Sequence, residues 1–224
     1  RISELETDLL SLRKKLVENA ISLSDSRKQA AKKLSASVTS ELHLLAMPKA
    51  EFEVRVEPRS GESDGDFLNY GLDEVAMFFT SHSGGELLPI AKAASGGELS
   101  RLMLALEVVI ADKYPLGTYV FDEVDAGVGG AAAIEIGRRL ARLAKQAQVI
   151  VVTHLAQVAA FSNTHLRVLK NHDGEFTTSD VVALTEVARV EELARMLSGL
   201  TESELGRAHA AELWQLAKES WPHA

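Results

Sequence analysis

Two acids and a histidine stand where short apolar runs stop. Tyr119-Val120-Phe121 is followed at once by Asp122 and Glu123, and Val149-Ile150-Val151-Val152-Thr153 is followed by His154. Residues that close a buried strand of an open α/β sheet lie at its carboxyl edge, where ligands bind. There Asp122 can hold Mg²⁺ through water and Glu123 can polarise an attacking water. The imidazole of His154 can hydrogen-bond a terminal phosphate and help hold that water. Upstream, Ser95-Gly96-Gly97-Glu98 precedes a helical run with Leu102, Leu106 and Val109 on one face. Serine is a good N-cap, glycine lets a ligand approach the backbone, and the free N–H groups of a helix amino terminus suit a phosphate. Each motif alone also reads as ordinary structure: a capped turn, a solvated strand end, a satisfied histidine. Their order along the chain is what points to phosphoryl-transfer chemistry.

The elements that must position these groups follow from periodicity. Ile2, Leu5, Leu9, Leu12, Leu16 and Leu23 fall on alternating three- and four-residue steps, the a/d seam of a coiled coil, and the seam fails at Asn19 and Ser26. A helical stripe of Ala31, Leu34, Val38, Leu42 and Leu45 then runs to Pro48, which divides the chain into an arm and junction helix over 1–46 and a head over 47–224. Past Pro48 the period becomes two: Phe52, Val54 and Val56 predict a strand, a polar loop follows over 58–66, and a second strand covers 74–80 before a turn at His82-Ser83-Gly84-Gly85. From residue 94 on, a helix over 97–112, a strand over 118–121, a helix over 131–145 and a strand over 148–153 alternate. Short apolar strands separated by helices predict a parallel sheet covered on both faces. Two edge strands, 165–170 and 176–184, and two helices complete the pattern, the last helix opened by a capping box of Thr201 and Glu204.

The three motifs carry a resemblance. Ala94-Ser95-Gly96-Gly97-Glu98-Leu99-Ser100-Arg101 is similar to the signature of ABC-type ATPases. Phe121-Asp122-Glu123-Val124-Asp125-Ala126-Gly127-Val128 is similar to their Walker B motif and D-loop, and Val152-Thr153-His154-Leu155-Ala156-Gln157-Val158-Ala159-Ala160 to their switch segment. The forms resemble those of the RecN family of SMC-like bacterial DNA-repair ATPases, as does Ala194-Arg195-Met196-Leu197-Ser198-Gly199. Ala94 stands where most of that family has Leu, Ala156 where Pro is usual and Gly129 where Ser is frequent; the last two changes remove no group with a direct chemical role. The likeness runs from about residue 31 to the end.

The resemblance implies an α/β fold, the carboxyl-terminal lobe of an ABC-type ATPase head with a mostly parallel sheet flanked by helices, preceded by a coiled-coil segment. It implies that Ser95, Gly96, Gly97 and Glu98 bind the ATP held mainly by a second head. Asp122, with Mg²⁺, and the catalytic pair Glu123 and His154 serve the ATP of their own head, and Asp125 bridges the two heads. Its partners are a second copy with ATP sandwiched between heads, an amino-terminal lobe of the same protein bearing the phosphate loop, DNA as ends or single strands, and a recombinase. The activity implied is ATP hydrolysis in double-strand-break repair and recombination. Another SMC-like ATPase is a rival, against which Ala94 and Thr153-His154-Leu155 argue. A second rival is a coiled-coil DNA-bridging scaffold in which nucleotide is a structural clamp.

No G-x-x-x-x-G-K-[ST] run occurs, so the chain alone lacks the usual cradle for β- and γ-phosphates and is expected to be inactive by itself. The absence of cysteine removes disulfides and thiolate zinc sites, and no apolar run reaches the roughly 18 residues that cross a bilayer. A membrane-embedded chain is therefore not expected, and the cytoplasm is the simplest home. A net charge of −8 argues against a surface that coats nucleic acid broadly, so DNA contact must be local or made elsewhere. Arg27, Lys28, Lys32 and Lys33 cluster near the arm–head junction, and Arg138, Arg142 and Lys145 share a helix face opposite Ala133, Ile136, Leu140 and Leu143; both could touch DNA phosphate, and solvated basic faces are the simpler account of both. H-E-x-x-H does not occur, and the one G-x-S-x-G run, Gly61-Glu62-Ser63-Asp64-Gly65, falls in the polar loop over 58–66 and not between a buried strand and a helix, leaving zinc hydrolases and serine esterases without support.

Overall fold

Between Arg1 and Met47 the chain has neither glycine nor proline, so nothing interrupts helix formation, and α1 runs unbroken over Ile2–Leu44. This is a computed structural model, and it describes residues 1–93, 96–111, 117–173, 176–198 and 204–219. At 1.5 Å per residue α1 is about 65 Å long. It ends with Ala46 in the left-handed region (φ 61°) and the Met47 N–H donating to the Leu42 carbonyl at 3.2 Å, ahead of Pro48. Contacts divide the chain into two units, one of residues 1–43 with 47–95 and the other of 44–46 with 96–224. The helix therefore groups with the first strands, whereas the sequence suggests an arm separate from everything after residue 46.

In the first unit, β1 (Glu51–Pro58) and β2 (Asp73–Thr80) pair antiparallel, from Glu51 opposite Thr80 to Pro58 opposite Asp73, and β3 (Leu88–Pro89) joins β2 at Phe78 and Phe79. A short helix α2 follows over Ile90–Ala93. The six apolar residues of the seam, Ile2 to Leu23, are all exposed, while Ala31, Val38 and Leu42 are buried. Helix hydroxyls do a job that periodicity does not reveal. Thr39 Oγ1 accepts the Phe52 N–H at 3.1 Å and Ser35 Oγ accepts the Val54 N–H at 2.9 Å. Four residues apart on α1, they stand on one side of the helix and satisfy alternate N–H groups along β1, which closes that edge.

Two arginines fasten α1 to the loop between β1 and β2 and to the first residue of β2. Arg13 Nη2 donates to the Glu62 carbonyl at 2.8 Å, and Arg27 donates to the Asp73 carboxylate at 3.0 Å and to the Tyr70 carbonyl. Gly71 makes the approach possible: a β-carbon there would lie 2.9 Å from Leu23 Cδ2, and its φ is +107°. Burial of Asp73 opposes its ionisation, but the polar contact from Ser24 and the hydrogen bond and charge of Arg27 outweigh this, so its pKa lies below the ordinary carboxylate value.

The second unit contains α3 (Gly96–Ile110), β4 (Thr118–Phe121), α4 (Gly130–Leu143), β5 (Gln148–Val151), the short α5 (Ala156–Ala159), the hairpin β6 (Leu166–Asp173) and β7 (Phe176–Ala183), and then α6 (Glu186–Ser198) and α7 (Glu204–Glu219). These bounds follow the sequence pattern to within a few residues. The predicted capping residue Thr201 and the predicted helix end Asp112 lie outside the described residues. Strands β4 and β5 are parallel, whereas β6 and β7 are antiparallel, as is the sheet of the first unit. Among the described residues, parallel pairing is thus confined to β4 and β5.

Tyr119 and Phe121 are buried on one face of β4, and on α4 the predicted apolar stripe Ala133, Ile136, Leu140 and Leu143 is buried. Helices α5, α6 and α7 share a core of Phe161, Leu193, Leu213, Trp214 and small alanines. Cover on one face of the β4–β5 pair is seen among the described residues. Val120, Ile150 and Val152 share the other face and are 67%, 47% and 59% exposed, because no element among the described residues lies over them.

The Arg27–Asp73 pair gives a stability test. Asp73→Ala is expected to lower unfolding free energy by about 2 kcal/mol, the usual magnitude for a hydrogen bond to a charged group. Because the folded pKa is lowered, the contribution of Asp73 is complete above the unfolded carboxylate range near about 4 and is lost as pH falls through the folded value. Denaturant unfolding at neutral pH and below pH 4 should therefore show the difference between the two proteins shrinking in acid.

Candidate functional site

In-register pairing of β4 with β5 sets Thr118 opposite Gln148 and Phe121 opposite Val151, and the Val152 N–H still reaches the Phe121 carbonyl at 2.9 Å. The chain therefore leaves both strands at the same level. Asp122 and Glu123 emerge beside Thr153 and His154, at the carboxyl edge where the sequence places them. Asp122 and Glu123 are exposed, and His154 is 74% exposed on its side chain, so all three can meet a ligand.

Helix α3 docks its first two turns against the turn that follows β4. Ser100 Oγ donates to the Asp122 carbonyl at 2.9 Å, and the buried Arg101 donates through Nη1 to the Ala126 carbonyl at 2.9 Å. Burial lowers the pKa of Arg101, and the charge of Glu98, half-buried in the first turn of α3, opposes that. Gly97 is buried where a β-carbon would sit 3.0 Å from Ala126 Cβ and 3.3 Å from the Glu123 carbonyl, and one on Gly96 would lie 3.1 Å from Glu123 Oε2. These glycines thus have an intrachain reason as well as the predicted one: α3 and the acidic turn could not pack so closely with larger residues. Ser95 lies outside the described residues.

Glu123 itself has φ +55°, in the left-handed region that costs a residue with a β-carbon roughly 1–2 kcal/mol. The turn beyond it is held by Ala126 N–H to the Glu123 carbonyl (3.1 Å) and Val128 N–H to the Asp125 carbonyl (3.2 Å). Val124 is fully buried and Asp125 is only 2% exposed. The Asp125 carboxylate accepts a hydrogen bond from Thr153 Oγ1 and lies 3.7 Å from His154 Nδ1, while Thr153 Oγ1 accepts the Leu155 N–H at 3.0 Å.

The switch segment is braced on its far side. Phe161 is buried against α4, where Gly137 leaves it room: a β-carbon would come within 2.9 Å of Phe161 Cγ. Arg189 on α6 donates to the carbonyls of Ser162 and Asn163 at 3.0 and 2.9 Å and lies 4.4 Å over the Trp214 ring. Positioning roles of Ser100, Arg101, Thr153 and Arg189 are not legible from spacing. Only Thr153 gave a signal, as a hydroxyl two residues before the N–H of a turn. Among the described residues no group of three acids or histidines converges as a metal site.

The fold is that of an SMC-type head with its coiled coil. The Smc head domain with a coiled coil and joint from Pyrococcus yayanosii matches with a TM-score of 0.61 at 19% identity, over 88% of this chain and 35% of that one. No family model matches. Among curated proteins, the DNA repair protein RecN of Streptomyces coelicolor is 53% identical over 215 residues, 93% of this chain and 38% of that protein. RecN of Mycobacterium leprae is 48% identical over 236 residues, 98% of this chain and 40% of that protein. The chain belongs to the RecN family, and it spans about two fifths of the length of these relatives.

Glu123→Gly is expected to relieve the backbone strain and raise stability by up to about 1 kcal/mol, the Gly entropy cost offsetting part of the gain. A higher thermal midpoint for the variant, read by circular dichroism, would bear this out; an unchanged or lower one would mean that the positive φ is not a cost.

Proposed function

We propose that this chain is the carboxyl-terminal lobe of an ATP-hydrolysing head that acts, as part of a longer protein, in DNA double-strand-break repair and recombination. The observation that carries the reading is the placement of Asp122, Glu123 and His154 at one strand edge by the pairing of β4 and β5. Identity to RecN proteins over nearly the whole chain supports the biological role.

In this reading Asp122 holds Mg²⁺ through water. One exposed carboxylate at a strand end would suit an ion that keeps most of its waters. When bound, Mg²⁺ neutralises charge on the β- and γ-phosphates. Glu123 orients and polarises the attacking water, and His154 hydrogen-bonds that water against the terminal phosphate. The amino terminus of α3, with Ser95, Gly96, Gly97 and Glu98, meets the nucleotide of a second copy. Two heads thus close on two ATP molecules and reopen after hydrolysis. DNA ends or single strands, and a recombinase, are the partners of the assembled protein.

The exposed face of Val120, Ile150 and Val152 and the two-stranded β4–β5 sheet support a further lobe that supplies neighbouring strands and the phosphate loop. Parallel sheets are ordinarily buried on both faces, and two strands alone make a marginal sheet. No described helix is long and apolar enough to cross a membrane.

The test is Glu123→Gln in the full-length protein. Steady-state ATP turnover should fall by about 10²- to 10⁴-fold, the usual worth of a positioned base, while ATP binding and ATP-dependent head association persist. Turnover equal to that of the parent would remove Glu123 from the mechanism, and no turnover by either protein in the presence of DNA would favour nucleotide as a structural clamp.

A further inference from the structure

Asp125 is the acid that family resemblance assigns to bridging two heads, yet it is the one acid of the Asp122-Glu123-Asp125 group that is buried. Its carboxylate is turned inward, to Thr153 Oγ1 and towards His154 Nδ1. We propose that Asp125 is a positioning residue for His154 of its own chain, acting through Thr153, and not a group that reaches the partner. The inference rests on the catalytic reading of His154 given above and assigns the device that aims it.

The chemistry of the donors makes the argument. An ionised carboxylate only accepts hydrogen bonds, so every polar group that faces Asp125 must present a hydrogen. The Thr153 hydroxyl therefore points its proton at Asp125, which leaves its oxygen lone pairs to accept the Leu155 N–H. That second bond fixes the turn on which His154 stands. When His154 Nδ1 closes on the same carboxylate the imidazole must likewise present N–H there, which leaves Nε2 as the acceptor for the attacking water. At 3.7 Å the Asp125–His154 contact is longer than a hydrogen bond, as such contacts often are before substrate is bound, and needs a closure of about 0.7 Å or more to become one. One buried acceptor thus sets a hydroxyl rotor, a turn and a ring tautomer together. An asparagine of the same shape would not, because its amide offers a donor as readily as an acceptor. Contact between heads along this turn would then fall to the exposed backbone at Gly127 and Gly129.

The experiment compares Asp125→Asn with the parent in the full-length protein. Three readouts are taken: ¹⁵N shifts of the histidine rings, with the His154 signal assigned by its loss in His154→Gln; kcat and KM for ATP; and ATP-dependent head association in a Glu123→Gln background. The proposal expects the Nδ1–H form of His154 in the parent and its loss in the variant. It also expects kcat lowered by about 10- to 100-fold, as for other supporting hydrogen-bond partners, with KM within about twofold and head association retained. Loss of head association with an unchanged His154 tautomer would overturn it in favour of a bridging role. Should Asp125→Asn fail to fold, Thr153→Ser and Thr153→Val carry the same test, since only the first keeps the hydroxyl: turnover kept by Ser and lost by Val supports the proposal, and equal turnover overturns it. A parent protein without ATP turnover would sink the catalytic reading, while the tautomer comparison would still decide whether Asp125 aims the ring.

Discussion

Everything chemical in this chain depends on the register between β4 and β5. A parallel pair has evenly spaced, slanted hydrogen bonds, and a slip of one residue would turn Tyr119 and Phe121 out of their buried face and move the acidic turn along the strand relative to Thr153. Packing therefore enforces the register that the site needs. The core under Tyr119 and Phe121 and the alignment of Asp122 with His154 are two results of one constraint.

Around that edge the chain places groups at some energetic cost and holds them by bonds to rigid neighbours. Glu123 sits at an unfavourable φ, Asp125 is a carboxylate taken out of water, and Arg101 and Arg189 are buried cations. Each is answered locally. Arg101 and Arg189 bond backbone carbonyls, Asp125 bonds Thr153, and the Glu123 turn is closed by backbone bonds and by the side of α3 that its glycines leave flat. Such arrangements persist only where surrounding structure over-determines them. Here the surroundings are α3 on one side of the edge and the switch segment, braced by Phe161 and Arg189, on the other.

Much of this was legible in the sequence because it follows from local pattern. The strand over 118–121 and the α4 stripe Ala133, Ile136, Leu140 and Leu143 come directly from periods of apolar residues, and the placement of Asp122 and His154 follows from strands that simply stop. What pattern could not supply was pairing between residues far apart in sequence. The helical stripe says nothing of Ser35 and Thr39 until β1 is found beside them, and the resemblance assigns Asp125 to a neighbouring head, whereas its carboxylate is found against Thr153. The two-sided burial inferred for β4 and β5 is seen on one face among the described residues, for a related reason. An apolar strand records that something covers it and not whether the cover is among the described residues.

The bonds from Ser35 and Thr39 to β1 also make α1 a mechanical element. A helix joined to a strand edge by two side-chain bonds cannot slide along it by one residue without breaking both, so the strand and the helix turn together. From Val38, fixed in the core, to Ile2 the helix extends about 54 Å. Over that radius a tilt of about 5° displaces the far end sideways by about 5 Å. A rotation of the sheet too small to disturb its own hydrogen bonds would thus carry the exposed seam sideways by about half the width of a helix.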